Sequence, residues 1–376
     1  MIKRNVLSTL AMTICTFVSY GQSSQSATEH YNKAAEYFNS KNYGLAIASY
    51  SACIEQDPAN VKAYYNRGNA ALNLQQTEAA ITDFEKAVSL DPVYAKGHLS
   101  LGYARLINNQ FDQAIVSLTK ATELDPSLTK AFVQRGTAFM KKGDYTAAVA
   151  DFTKAITMGE QSYAIFLNRA ICKNKMDDKL GALADYTAAS NLKSDQGVTS
   201  GEKAKIYLKM DKWHEAISEI TAALRYSAGD ADLYYYRGYA KLMLEDVAGA
   251  ITDLNICLQI NPAHKAALKN KAVTTYKMGK YEEAAMDYTN LIKTDGKNCE
   301  LFVNRGICYL ETKKYDKALV DFSEAINQKK DFAEAYFNRA NTYTKLLDFK
   351  KACMDIKECV KLGYDPARAH VNNLCN

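Results

Sequence analysis

The chain has 376 residues, of which 48% are hydrophobic and 24% charged, with only five prolines and a net charge of +5. This composition suits a soluble, all-helical chain with a large core. The net charge is too small to argue for nucleic acid, and it falls further when Lys3 and Arg4 leave with the first 21 residues.

At the start of the chain, Lys3 and Arg4 precede an apolar stretch from Val6 to Val18, and Ser19-Tyr20-Gly21 puts small residues around a cleavage point before Gln22. The pattern predicts an export signal over residues 1–21, hence a periplasmic or secreted protein. An uncleaved amino-terminal anchor is the alternative, although the apolar run is short for a membrane span. Ile14 before Cys15 argues against lipid attachment, which resembles a signal with a small residue there. No second span follows, and residues 22–26 read as a short linker.

From Ala27 the sequence divides into ten units of 34 residues without insertion or deletion, ending at Pro366. Pro58, Pro92, Pro126 and Pro262 lie 34, 34 and 136 residues apart, the last interval being four periods. A fixed period of this length marks stacked units. Position 20 of the unit is always alanine: Ala46, Ala80, Ala114, Ala148, Ala182, Ala216, Ala250, Ala284, Ala318 and Ala352. Position 8 is always glycine or alanine, as in Gly68, Gly102, Gly136, Gly238 and Gly306 against Ala34, Ala170, Ala204, Ala272 and Ala340. Two helices must touch closely at these positions, because no larger side chain occurs.

The apolar spacing within a unit is helical, as in Tyr145, Ala148, Val149, Phe152, Ala155 and Ile156. Each unit holds two such stripes. A short polar break such as Lys142-Gly143-Asp144 separates them, and Asp-Pro often ends the unit, closing one helix and permitting the next. Each unit is therefore a helix hairpin. One hairpin cannot bury both of its apolar faces, so its second helix packs on the first helix of the next unit and the array becomes a solenoid. The sixth unit opens on Gln196-Gly197-Val198-Thr199-Ser200-Gly201, where a local irregularity or hinge is expected.

Phe132, Gly136, Tyr145, Ala148, Phe152 and Ala155 carry, within one unit, most of the pattern of the tetratricopeptide repeat, which the chain resembles over residues 27–366. The resemblance implies an all-α, right-handed superhelical solenoid of helix-turn-helix hairpins. It also implies that first helices line a concave groove and second helices cover the outer wall. The expected function is a non-enzymatic scaffold or adaptor in the cell envelope that binds an extended polypeptide in the groove. The alternative is an envelope-polymer or glycan-binding sensor that uses tyrosines for stacking.

Positions 2, 5, 6, 9, 12 and 13 are those such a groove resembles using. Position 6 carries Asn32, Asn66, Asn168, Asn270, Asn304 and Asn338, with Gln134 in another unit. Asparagine is a poor helix former, so its repetition needs a reason. The amides either hold the backbone of an extended peptide through paired donors and acceptors or bond between adjacent helices. Tyr31, Tyr65, Tyr103, Tyr235, Tyr236 and Tyr239 also fall at groove positions. Tyrosine numbers 26 in the chain, and most of it meets the repeat's own demand for packing aromatics. At position 2, Lys62, Lys96 and Lys130 form a row in consecutive units, and Asp232, Glu300 and Glu334 follow later, so a partner of opposite polarity is favoured. The lysine and asparagine arrangement of chaperone-binding relatives is not reproduced.

Position 7 is basic in nine units and position 23 acidic in eight, giving candidate structural ion pairs: Arg67 with Asp83, Arg135 with Asp151, Arg169 with Asp185, Arg237 with Asp253, Arg305 with Asp321, and Arg339 with Asp355. The unit with Leu101 for the base has Ser117 for the acid, so the two belong together, either within a hairpin or between neighbours. Cys53, Cys257 and Cys359 share position 27, alanine in six other units, and read as small buried hydrophobes rather than disulfide partners. Cys353 faces the place of a following helix, and only the tail, residues 367–376, is available to dock there, so a Cys353 to Cys375 bridge is expected. The tail is short for a capping helix, which leaves an apolar end face for self-association or a partner. Five dispersed histidines, no phosphate loop and no nucleophile elbow argue against catalysis; no metal or cofactor is expected.

Overall fold

A computed structural model describes residues 26–192, 196–294 and 297–375; the expected export signal over 1–21 lies outside the described residues. The chain forms two units, divided after Ser194. The first holds α1 (26–39), α2 (Tyr43–Gln56), α3 (Val61–Asn73), α4 (Thr77–Leu90), α5 (Ala95–Ile107), α6 (Phe111–Leu124), α7 (Thr129–Lys142), α8 (Tyr145–Thr157), α9 (Tyr163–Lys175) and α10 (Lys179–Asn191). The second holds α11 (Gln196–Lys209), α12 (Trp213–Leu224), α13 (Ala231–Met243), α14 (Val247–Ile260), α15 (Lys265–Lys277), α16 (Tyr281–Thr294), α17 (Cys299–Glu311), α18 (Tyr315–Gln328), α19 (Ala333–Lys345) and α20 (Phe349–Lys361). A 3-10 turn (Asp365–His370) and α21 (Val371–Cys375) complete it. In each unit a second helix packs on its own first helix and on the next, and first helices of neighbouring hairpins, such as α5 with α7 and α17 with α19, also touch.

Every hairpin turns in the same way. Position 15 has a left-handed backbone in all ten repeats, with φ from 55° at Asp211 to 89° at Gly143. The next N–H then bonds back to the carbonyl five residues earlier, as Asp144 to Phe139 at 2.9 Å and Asp348 to Tyr343 at 2.9 Å. This bond satisfies carbonyls that the end of the first helix leaves free. Glycine is present at only two of these turns, Gly143 and Gly279; elsewhere an L-residue holds the conformation, including Leu347.

The close contact expected at positions 8 and 20 is present: all ten position-20 alanines are fully buried. Position 8 sits against position 24 of the same hairpin, and the two residues vary together within the chain. Glycine faces Phe84, Leu118, Phe152, Leu254 or Phe322; alanine faces Tyr50, Tyr186, Ile220, Tyr288 or Ile356. A Cβ added to Gly306 would lie 2.6 Å from Phe322 Cε1, and one added to Gly68 would lie 2.8 Å from Phe84 Cε1. In the three phenylalanine hairpins the ring edge, and in the two leucine hairpins the branched end of the side chain, therefore lies against the space that alanine's methyl takes elsewhere.

The basic and acidic positions meet inside eight of the ten hairpins. In the six Arg–Asp pairs the guanidinium Nε and Nη2 donate to the two carboxylate oxygens at 2.6 to 2.9 Å. Lys203 with Glu219 and Lys271 with Asp287 replace this fork by a single contact, at 2.7 and 2.8 Å. The remaining Nη1 reaches back to the preceding hairpin and donates to a hydroxyl at position 25: Ser51, Thr119, Thr153, Thr221, Thr289 or Ser323, at 2.9 to 3.3 Å. One arginine thus closes its own hairpin by a charge-assisted fork and ties it to the previous one by a neutral bond. Each guanidinium also lies 5.5 to 5.7 Å from the ring three residues earlier, such as Phe132 or Tyr234.

Where Leu101 and Ser117 interrupt the pattern, Arg105 moves in from one helical turn further along. Its Nη1 donates to Ser117 Oγ at 2.7 Å and its Nη2 to Glu85 of the preceding hairpin at 2.6 Å. The polar tie is relocated, and Leu101 takes the vacated core position, 3% exposed.

Two expectations are corrected. The run from Gln196 to Gly201 forms the first turns of α11 in place of an irregular segment, with Thr199 and Ser200 buried and open space beside Gly201, while the division of the chain after Ser194 falls beside the expected hinge. The last hairpin does not leave its apolar end open either. The 3-10 turn and α21 pack on α20, burying Ala367 and bringing Val371 and Leu374 against Ile356 and Cys359. Cys353 and Cys375 are disulfide-bonded, with 5.0 Å between their Cα atoms. The tail is too short for a hairpin, but one turn and a crosslink suffice to cover one helix.

Candidate functional site

The first-helix face of each unit carries the sequence-predicted groove residues. In the first unit, Lys62, Lys96 and Lys130 occur once per hairpin on α3, α5 and α7, all exposed. No ion pair to them is found among the described residues. Tyr103 is 42% exposed beside them.

Part of the amide ladder is engaged within the protein. Asn66 Nδ2 donates to the Tyr31 hydroxyl of the preceding hairpin at 2.8 Å, and Asn270 bonds Tyr235 in the same relation. Ser100, which replaces asparagine in the third repeat, contacts the Tyr65 hydroxyl at 3.4 Å. Tyrosine at position 5 thus reaches position 6 of the next first helix. Asn338 donates instead to its own backbone, Glu334 O at 2.9 Å. Asn32 is exposed, and Asn168 and Asn304 are half-buried. Gln134 Oε1, in the same row, is buried without a hydrogen-bond partner among the described residues.

Burial pushes the hydroxyls of Tyr31 and Tyr235 above the usual tyrosine range, opposed in part by the bonded asparagines, so both stay neutral. Tyr65 packs edge-on to Tyr94 with centroids 5.2 Å apart.

In the second unit, Tyr235 stacks on Tyr239 at 6.4 Å, tilts against Tyr236 at 5.2 Å and against His264 at 4.7 Å, and Tyr239 meets Trp213 edge-on at 5.9 Å. His264 caps α15: its Nδ1 accepts from Ala267 N at 3.1 Å, and its Nε2 lies 3.0 Å from Asp232. With Nδ1 accepting, Nε2 carries the proton and donates to the carboxylate. Further along, Glu300, Asn304, Phe332 and Glu334 line a cavity of about 230 Å³, acidic where the first unit is basic. Sequence reasoning missed His264, the position-25 hydroxyls and the Arg105–Glu85 tie. The hydroxyls recur at the 34-residue period and were open to the same comparison between repeats that found the arginines.

Among the described residues no group of three or more histidine, cysteine, aspartate or glutamate side chains is placed to hold a metal ion, and no helix is long and apolar enough to cross a membrane.

Tetratricopeptide repeat profiles match residues 30–60, 61–94, 99–163, 202–264 and 333–362, and a TPR repeat profile matches 308–346. The chain belongs to the tetratricopeptide repeat family. Repeats of this family generally mediate contacts between proteins and are generally not enzymes. No curated protein matches the chain. Among solved structures, the C-terminal part of a TPR repeat-containing protein from Cytophaga hutchinsonii is similar over 64% of this chain and 98% of its own, at 17% identity and a TM-score of 0.55, and shares the tetratricopeptide fold. A tetratricopeptide repeat protein from Parabacteroides merdae matches over 66% of this chain and 99% of its own, at 19% identity and a TM-score of 0.44. YrrB, described as a TPR protein with an unusual peptide-binding site, matches over 50% and 97%, at 24% identity and 0.46.

Proposed function

We propose that this tetratricopeptide protein is an exported, non-enzymatic scaffold of the cell envelope that grips extended polypeptide segments on its first-helix faces. The observation that carries the reading is the row of Lys62, Lys96 and Lys130, one per hairpin on three consecutive first helices, exposed and in no ion pair among the described residues. Neighbouring helices pack about 8–10 Å apart, so the row repeats at a spacing an extended acidic segment can follow with side chains two or three residues apart. In the second unit Asp232, Glu300 and Glu334 favour a basic segment instead. Export is supported by the segment over 1–21 and by the Cys353–Cys375 disulfide, which suits an oxidising compartment.

Cross-linking in intact cells followed by mass spectrometry tests this. The expected result is a polypeptide joined near α3, α5 and α7 that is lost when Lys62, Lys96 and Lys130 are changed together to glutamate. Equal yields with wild type and triple variant would overturn the reading. Mass analysis of the purified protein should find Gln22 at its amino terminus. The cluster of Tyr235, Tyr239 and Trp213 favours a second reading, stacking on sugars of an envelope polymer; co-sedimentation with cell-wall material in place of polypeptide capture would select it.

A further inference from the structure

The second helices present the opposite face, and in the last three repeats that face departs from the others. At position 22 the first seven repeats carry Ala48, Thr82, Val116, Ala150, Ala184, Ser218 and Thr252, small or polar except for Val116. The last three carry Met286, Val320 and Met354, exposed by 65%, 68% and 65%. These are three large apolar side chains in register on α16, α18 and α20, open to water. Scattered exposed hydrophobics need no explanation, but a row on adjacent elements does.

The charges beside the row are ordered. One turn before it, positions 18 and 19 hold Glu282 and Glu283 on α16, Asp316 and Lys317 on α18, and Lys350 and Lys351 on α20, all exposed. Charge runs from two acids through a balanced pair to two bases, while the apolar row reads methionine, valine, methionine. The apolar part is the same from either end and the charge reverses sign. An isologous contact needs this combination, because under a two-fold axis each residue meets its mirror position in the row.

We propose that the outward faces of α16, α18 and α20 pair with the same faces of a second copy of this chain about a two-fold axis running along α18. Such an axis keeps facing helices parallel and reverses the order of hairpins. Val320 meets its own counterpart, Met286 meets the partner's Met354, and Glu282 and Glu283 meet the partner's Lys350 and Lys351. Methionine fits the flanks because its unbranched side chain adapts to an imperfect fit. Glu282 contacts Lys314 at 2.7 Å and Lys351 contacts Asp348 at 2.7 Å within the chain, but both pairs are solvent-exposed and bind weakly enough to be shared. Stacked in the same order instead, two copies would set Glu282 and Glu283 against their own counterparts and Lys350 and Lys351 against theirs. The inference does not rest on peptide binding, since no first-helix residue takes part.

Sedimentation velocity of the purified full chain over a concentration series tests it. A reversible dimer is expected for wild type. Val320→Glu should weaken it by about tenfold or more, the effect of roughly 1.4 kcal/mol; at 68% exposure the substitution leaves the hairpin's interior untouched, and unchanged circular dichroism verifies this. Glu282→Lys with Glu283→Lys should also weaken it, and adding Lys350→Glu with Lys351→Glu should restore it, because all the pairs are then inverted together. A wild type that stays monomeric, a dimer indifferent to Val320→Glu, or a fourfold variant no tighter than the double one would each overturn the proposal.

Discussion

Asp253 on α14 is the most demanding test of how the hairpins hold together. Its side chain is 1% exposed and receives Arg237 Nε and Nη2 at 2.9 and 2.6 Å and Lys241 Nζ at 2.8 Å. The carboxylate holds the Arg237 guanidinium protonated more firmly than usual. Asp253→Ala would leave two cations facing an apolar gap. Removing one partner of a buried pair costs about 3–5 kcal/mol. Arg237 and Lys241 keep 18% and 21% exposure and can swing partly into water, so a loss of about 2–4 kcal/mol is expected. In a unit of this size that lowers the melting temperature by roughly 5–15 °C.

Because stacked repeats unfold as units coupled to their neighbours, a global melt can miss a local opening. Hydrogen exchange of peptides from α13 and α14 should therefore accompany it, with protection lost there first. Asp112→Ala is the control: its pair with Lys142 is exposed at 75% and 53%, and losing it should leave the melt unchanged. Arg237→Met added to Asp253→Ala should recover part of the loss, with a coupling of about 1–3 kcal/mol. Equal, small losses for Asp253→Ala and Asp112→Ala would refute the view that buried Arg–Asp forks hold hairpins closed.

Three further outcomes are expected. Gly306→Ala adds a methyl against Phe322; overpacking of about 1–3 kcal/mol outweighs the helix gain of about 1 kcal/mol, so urea denaturation should move to lower concentration, and Phe322→Ile should move it back, as Ile356 accommodates Ala340. Burial pushes the Cys172 and Cys257 thiols up to about 11, and those of Cys308 and Cys359 up to about 12, from the ordinary 9.0. The folded chain then keeps protons that the unfolded chain releases, so stability should hold below pH 9 and fall between pH 9 and 12 in a melting series, and alkylation of the native protein at pH 8 should mark the half-exposed Cys299 first. Finally, the Cys353–Cys375 bridge spans a separation of 22 residues and restricts the unfolded chain by about 3 kcal/mol, so Cys375→Ser should lower the exchange protection of α20 and α21 in the oxidised protein and change nothing under reducing conditions.

Much of the architecture was legible because a repeat shows its rules many times over. Alanine at position 20 and the glycine or alanine at position 8 mark a helix contact that admits no more than a methyl. Repetition alone was silent on pairing geometry. Position 7 and position 23 recur at the same period whether the partner lies in the same hairpin or the next, so only the structure places the fork inside the hairpin and the spare Nη1 on the previous one. Arg105 escaped notice because the position of Glu85 is acidic in no other repeat, although the position of Arg105 is basic again at Lys173 and Lys241. The run at Gln196 looked like a break because glycine and serine are poor helix formers, yet Thr199 and Ser200 find a packed environment that outweighs propensity. In the groove, Asn66 and Asn270 bond the tyrosine hydroxyls of the preceding hairpin, so a ladder that suggested peptide contact is partly consumed by contacts between repeats.

That consumption narrows where a ligand can be gripped. The position-7 arginines are saturated by aspartate and hydroxyl, and much of the amide row by tyrosine or backbone. What the first-helix face leaves unspent is the lysine row of α3, α5 and α7 and, on α19, Glu334, whereas Asp232 is bonded to His264 at 3.0 Å and Glu300 pairs with Lys269 at 3.7 Å. The outward row of Met286, Val320 and Met354 belongs to second helices, and the lysine row to first helices of other hairpins. A residue on one helix of a hairpin cannot be shared by both surfaces, so pairing of two copies and capture of a polypeptide do not compete. A dimer would carry two lysine rows, one from each copy, and a partner with two acidic segments long enough to span them would be held more tightly than one segment's affinity implies. Val320→Glu should then weaken capture of such a partner without weakening that of a single isolated segment, whereas substituting the lysine row should weaken both.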